Sequence, residues 1–275
     1  MLPVFVISLA DDIERRTLIS RAMHELSIDF EFIDAIKGKT LTQEELSHLN
    51  LRFVESRENR KLAFGEIGCT LSHIKTYKLM LERGIEWCCI LEDDIILDKR
   101  FGAFIERLQL NDLFGFENDI LLLGGLNGTK GSKYISRSVW NKKSISSEVF
   151  YKTIKSEKYL CRTCCYLVNK KVATKLIDLA SNDFFLADEW RYFKKKDIVN
   201  KFYLADFIKH PIDLVNSHIE KERVVSYATS KSVAPMKLLD SIKNIVNGNV
   251  FLLWIKDTFV LFRTQVALLN KSNFC

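Results

Sequence analysis

The sequence predicts an α/β fold: one domain with a mainly parallel sheet, followed by a helical, basic C-terminal segment. Three observations predict it. The chain opens strand–helix–strand, the unit from which parallel sheets are assembled. Its strand candidates are short apolar runs rich in β-branched residues, as strands buried on both faces are. One of them, Trp87 to Leu91, ends in the acids Glu92-Asp93-Asp94, and ligands of open α/β sheets sit at the carboxyl ends of strands.

Pro3 to Leu9 is the first strand, and Asp11 or Asp12 is placed to cap the helix that follows. Ile13 to Leu26 has helical spacing, with Ile13, Leu18, Ile19, Ala22, Met23 and Leu26 as its apolar face. Asp29 to Ala35 alternates and reads as a second strand. Residues 36–62 are polar, with Thr42 as an N-cap before Gln43 to Leu49. Gly65 to Gly68 breaks the pattern, and a helix runs from Cys69 to Glu82 with Gly84 at its C′ position. Phe101 to Leu108 is a helix and Asp119 to Leu123 a strand. Residues 129–158, rich in Lys and Ser, read as a surface loop. Tyr159 to Val168 is a strand, Lys170 to Ala180 a helix, and Phe202 to Phe207 and Ile212 to Val215 are short strands. Met236 to Leu269 reads as helical and apolar. The expected division is a domain over 1–230 and a helical segment over 231–275.

Bulk composition narrows the function. At 275 residues, 47% hydrophobic and 28% charged, the chain can bury a full core. Residues 1–193 hold 28 basic and 28 acidic side chains. Residues 194–275 hold 13 and 7, so the whole excess of +6 lies at the C-terminal end. That points to an anionic partner. Nucleic acid is disfavoured, because these basic residues are scattered among apolar helix positions rather than aligned with aromatics. Val250 to Leu269 is interrupted by Lys256, Asp257 and Arg263, and its longest apolar run, Val250 to Ile255, is far short of the roughly 20 residues of a spanning helix. An interfacial helix on a membrane surface fits, with packing on the domain as the alternative. Seven cysteines, an odd number, and an N-terminus unlike a signal peptide read as free thiols in a reducing cytoplasm.

Three adjacent acids at a strand end are costly to bury without a cation. Hard oxygen ligands favour Mn²⁺ or Mg²⁺, which commonly bridge to substrate phosphates. A solvated surface turn is the alternative. Asp188 and Glu189, in Phe184-Phe185-Leu186-Ala187-Asp188-Glu189-Trp190, are acids wedged among large apolar groups, a setting that raises proton affinity and suits a general base.

Three segments carry a family resemblance. The first is Val6-Ile7-Ser8-Leu9 with Glu14-Arg15-Arg16. The second is Gly65-Glu66-Ile67-Gly68-Cys69-Thr70-Leu71-Ser72-His73, then Gly84, then Leu91-Glu92-Asp93-Asp94. The third is Cys165 to Ala173, followed by Asp188. Over residues 4–215 the chain resembles glycosyltransferase family 25, the bacterial lipopolysaccharide and lipooligosaccharide core β-galactosyltransferases and their relatives. The resemblance implies a GT-A-like nucleotide-sugar-binding domain, a UDP-sugar donor, a divalent metal and inverting transfer. It implies Asp94 as metal ligand, supported by Asp93 or Glu92, with the latter pair also facing the donor. It places Leu9 and Arg15 or Arg16 at the nucleotide, and Glu66, Ser72 and His73 in the donor pocket. His73 could equally be a structural histidine holding the acidic loop. Asp188 matches the family's downstream acid and is the expected base, with Glu189 in reserve, and His218 is a candidate third metal ligand. The implied acceptor is a lipid-linked oligosaccharide at the inner face of the bacterial cytoplasmic membrane. A UDP-glucose donor and a catalytically silent UDP-sugar-binding protein are the alternatives. Collagen-modifying relatives are disfavoured by the short chain and its free-looking cysteines.

Overall fold

Alternation along the central strands builds two apolar faces at once. In β1 (Val4–Ser8), Val4 and Val6 face one core while Phe5 and Ile7 face the other. In β3 (Trp87–Glu92), Cys89 and Leu91 join the first core and Cys88 and Ile90 the second. Helices cover both sides. From α1 (Ile13–Glu25) and α5 (Lys99–Arg107) come Ile19, Met23, Phe101 and Phe104. From α4 (Phe64–Glu82) and α6 (Lys170–Asn182) come Ile74, Tyr77, Met80, Val172 and Leu176. The result is three layers, helix on sheet on helix. The computed structural model describes residues 2–211, all within one compact unit. The expected strand Ile212 to Val215, His218 and the C-terminal segment lie outside the described residues.

The remaining strands are β2 (Glu31–Asp34), β4 (Asp119–Gly124), β5 (Arg137–Ile145), β6 (Glu148–Thr153), β7 (Cys165–Asn169) and β8 (Lys201–Ile208). The eight form one sheet in the order β2-β1-β3-β7-β4-β8-β6-β5. β1 is parallel to β2 and β3, and β4 to β8. β7 runs antiparallel to both β3 and β4, which restores β4 to the direction of β3. The expected mainly parallel sheet is therefore a mixed one whose parallel core is split by a reversed strand. β7 is buried along its whole length, so its pattern does not encode its direction.

Further differences have local causes. Residues 137–153 form the β5–β6 hairpin rather than a loop. β5 exposes most of its side chains and β6 is largely half-buried, so no clear apolar alternation announces the pair. Residues 51–58 form α3 (Leu51–Glu58), anchored by buried Val54. On α1, Ile13 and Leu18 are exposed, and the helix buries the narrower stripe Ile19–Met23. Thr42 caps α2 (Gln43–His48) in a capping box with Glu45, as expected. α4 starts at Phe64 rather than Cys69, so Gly65 and Gly68 lie inside it. Gly68 is there for a close approach: a Cβ would stand 2.4 Å from the carbonyl oxygen of Ile36 and 2.7 Å from the amide of Gly38. At the other end Gly84 (φ +65°) closes a Schellman motif, its amide bonding Leu81 O (3.1 Å) and that of Ile85 bonding Met80 O (2.9 Å).

Candidate functional site

Parallel pairing of β1 and β3 sets Ile7 opposite Glu92, so Ser8 and the acids emerge side by side at the strand ends. The Ser8 hydroxyl donates to Asp93 Oδ2 (2.6 Å), and Arg15 Nη1, from the first turn of α1, donates to Asp93 Oδ1 (3.0 Å) and Asp94 Oδ2 (3.3 Å). Asp12 fixes the helix start by accepting the Arg15 amide (3.2 Å). Burial pushes the Asp93 pKa up, and Ser8 and Arg15 offset this only in part. Asp94 differs. Burial opposes its charge too, yet His210, Arg15 and Arg162 together hold its carboxyl below the usual range.

His210, just past β8, was not foreseen; the sequence reading chose His218. The side chain of Asn127 pins its backbone, donating to His210 O (2.7 Å) and accepting from His210 N (2.8 Å). Its Nδ1 donates to Pro211 O (2.7 Å), which leaves Nε2 facing Asp94 Oδ1 at 3.6 Å. That separation is too long for a hydrogen bond, and Asp94 Oδ1 is buried with no hydrogen-bond partner. No sequence signal marked His210, because only the return of β8 beside β4 carries it to the acids.

Glu92 accepts from the Thr163 hydroxyl and lies 3.6 Å from His73 Nε2. His73 is fully buried, its Nδ1 bonded to the Tyr166 hydroxyl (2.8 Å), which bonds that of Tyr77 (2.7 Å). Ser72 accepts the Ile36 amide (2.8 Å) and donates to Gly68 O (2.6 Å), tying α4 to the loop after β2. Leu9, Arg15, Ser72, His73, Glu92, Asp93 and Asp94 all line one 220 Å³ cavity with Asp12, Lys37 and Cys69. A larger hollow of 410 Å³ is built from α2, α3 and nearby side chains and contains none of these residues.

Other expected residues serve elsewhere. Arg16 turns back to Leu9 O, Ser8 O and Asp34 and fastens the turn after β1, so of the two arginines Arg15 meets the acids. Glu66 is buried against Arg60 (2.6 and 2.7 Å) and caps α4 through the Ala63 amide (2.9 Å). It is not in the cavity wall, to which α4 contributes Gly65, Cys69, Ser72 and His73. Glu189 is held by Arg57 (3.0 and 3.1 Å) and accepts the Leu186 amide (2.8 Å), which commits it to the start of α7 (Trp190–Lys195). Asp188 is half-buried and uses one oxygen, Oδ2, on the Arg162 amide (2.7 Å). Arg162, at φ +65°, reaches Gly125 O (2.9 Å) and Asn127 O (3.1 Å). Asp188 thus connects through Arg162 to the loop that pins His210.

The donor chemistry fits a hard divalent cation. Asp94 Oδ1 is buried without a hydrogen-bond partner, and the second ring nitrogen of His210 faces it at 3.6 Å. The other nitrogen bonds a backbone carbonyl, as is usual for a metal-bound histidine.

Comparison with known proteins identifies the family. The profile of the family described as glycosyltransferase family 25 (LPS biosynthesis protein) matches residues 1–190. The chain belongs to glycosyltransferase family 25. Among family 25 relatives, procollagen galactosyltransferase 1-A of Xenopus laevis is 27% identical over 240 residues, 86% of this chain and 35% of that protein. Procollagen galactosyltransferase 1-B of the same species is 36% identical over 108 residues, 38% of this chain and 17% of that protein. The chain thus spans a minor part of these two relatives. A Haemophilus influenzae protein named "Putative glycosyltransferase" is 28% identical over 253 residues, 87% of this chain and 82% of that protein.

Proposed function

We propose that this family 25 chain is a metal-dependent, inverting glycosyltransferase that moves galactose from UDP-galactose to a core sugar of lipopolysaccharide or lipooligosaccharide. The observation that carries the reading is the Asp94 carboxylate at a strand end. One oxygen is compensated by Arg15 and the other, unpartnered, faces His210 Nε2.

Asp94 and His210 would hold Mn²⁺ or Mg²⁺, which supplies Lewis-acid stabilisation of a departing diphosphate. Arg15 keeps the two aspartates ionised and aligned, and its guanidinium, at the cavity wall, is placed to share charge with a phosphate. The cavity has room for part of a nucleotide sugar, and Ser72 and His73 shape its α4 wall. Asp188 is the base in this reading: its Oδ1 is left to accept the acceptor hydroxyl's proton while Oδ2 is anchored on Arg162. The basic C-terminal segment brings the protein to the inner face of the cytoplasmic membrane, where a lipid-linked oligosaccharide acceptor resides.

The test is calorimetric titration with UDP, with Mn²⁺ and with EDTA, followed by UDP release from a panel of UDP-sugars in the presence of core-oligosaccharide acceptors. Mn²⁺-dependent binding and release selective for UDP-galactose support the reading. Selectivity for UDP-glucose moves the donor. Failure of UDP to bind with Mn²⁺ present replaces catalysis by a silent fold, a state that the mouse "Inactive glycosyltransferase 25 family member 3", 33% identical over 110 residues, carries in its name.

A further inference from the structure

A second constellation shares the cavity but not the Asp94 chemistry. Cys69 and His73, one turn apart on α4, share a face, and Glu92 meets them from the end of β3. The thiol sulfur, a ring nitrogen of His73 and a carboxylate oxygen of Glu92 all lie within 4.8 Å of one another. We propose that Cys69, His73 and Glu92 form a separate binding site for a zinc-class cation.

Two features of His73 point to a ligand rather than to packing. The side chain is fully buried, yet its Nε2 has no hydrogen-bond partner, and a buried polar atom left unsatisfied carries its full desolvation penalty. Its other nitrogen is held by the Tyr166 hydroxyl at 2.8 Å, itself backed by Tyr77. This aims Nε2 at Glu92, the outer support common to metal-bound imidazoles.

Ligand identity selects the ion. One sulfur, one nitrogen and one oxygen make a three-residue set with an open fourth position, which zinc accepts tetrahedrally. Mn²⁺ and Mg²⁺ prefer oxygen and are served by Asp94 instead. The 3.6 Å between His73 Nε2 and Glu92 Oε1 already matches the spacing of two ligands about 2.0–2.2 Å from one zinc. The Cys69 sulfur already lies within 4.8 Å of both. On binding, Cys69 gives its proton to solvent and ligates as thiolate. Cys69 is half-buried and lines the cavity, so the ion has a way in. An ion seated there takes Glu92 and occupies the cavity floor.

The test uses the full chain stripped of metal and no nucleotide, so it stands or falls independently of glycosyl transfer. Titration with Co²⁺, an optical stand-in for zinc, should produce a sulfur-to-cobalt charge-transfer band that added Zn²⁺ abolishes. The band should vanish in Cys69→Ser and persist in Cys161→Ser and Asp94→Asn. In the wild-type chain, Zn²⁺ but not Mg²⁺ should slow alkylation of Cys69 by iodoacetamide, followed by peptide mass spectrometry. This second measurement decides the matter if Cys69→Ser does not fold. Absence of the band, its survival in Cys69→Ser, or alkylation of Cys69 at an unchanged rate under Zn²⁺ would overturn the proposal.

Discussion

At the scale of single residues, the proposed function divides the chemistry between Asp94 and Asp188, and different readouts separate the two roles. If Asp94 and His210 hold the cation as proposed, Asp94→Asn or His210→Ala should weaken Mn²⁺-dependent UDP binding by about 100-fold or more, since even outer supports of a metal site contribute about 10–100-fold. Titration calorimetry with and without EDTA reads this, and equal affinity under both conditions would remove the pair from the metal. Asp188→Asn should leave UDP binding intact and lower transfer about 10²–10⁴-fold, the usual contribution of a general base; undiminished transfer excludes Asp188. Asp119, at the start of β4, is a residue of stability rather than of the site. Burial, only partly offset by the charge and amide of Lys201, pushes its pKa to about 6 from 3.8. Between those values the folded chain holds a proton that the unfolded chain has released, so this contribution to stability is full below 3.8 and lost as pH rises to about 6. Asp119→Asn keeps an oxygen for the Lys201 amide and should flatten the decline in melting temperature over that window; an unchanged slope assigns the decline to other groups. The acids stood out in the sequence because three carboxylates follow a buried strand, although a solvated turn would show the same pattern. His210 was not, since a histidine gains its meaning only from what the sheet sets beside it.

Elements place these residues, and α4 does most of it. It begins one turn earlier than its glycines implied, so Cys69, Ser72 and His73 reach the strand ends from mid-helix. The glycines misled because glycine in a helix usually weakens it; here Gly68 is the point where α4 touches the Ile36–Gly38 loop, and the Ser72 hydroxyl bridges the same contact. Gly68→Ala should therefore cost about 1–3 kcal/mol, the range for overpacking, although alanine is the better helix former. A lowered denaturation midpoint is the expected result, and a raised one would mean that the loop yields. The β5–β6 hairpin was illegible for a different reason. It is an outer hairpin with lysines along an exposed edge strand, including Lys142 and Lys143, a composition that protects edges from pairing and reads locally as loop. Strands buried on both faces were legible as apolar runs, but not always in their bounds: the strand expected over Tyr159 to Val168 is Cys165–Asn169, because the buried residues Leu160 and Cys164 before it belong to the loop.

At the scale of the whole molecule, the described residues contain the sheet and the candidate site. All eight strands and both large cores lie between Leu2 and Ile208; the acids and Arg15 come from the same span, and His210 lies two residues past it. What the sequence adds beyond it is charge: residues 227–275 hold 6 basic and 2 acidic side chains around the apolar stretch from Val250 to Leu269. A segment of that kind has two uses, a membrane surface or a protein surface, and truncation after Ser226 separates them. If it serves the membrane, the truncated chain should be soluble, melt within a few degrees of the full chain and bind UDP with Mn²⁺ equally well. The full chain alone should then sediment with vesicles containing anionic lipid, and less so as salt is raised, because each lysine or arginine near such a surface contributes about 1 kcal/mol of screenable attraction. If the segment covers the domain instead, truncation should bare an apolar face, and the product should aggregate or melt well below the full chain. Vesicle binding that survives truncation would place the membrane contact on residues 1–226, whose charge is nearly balanced in sequence, and would require a local basic face there.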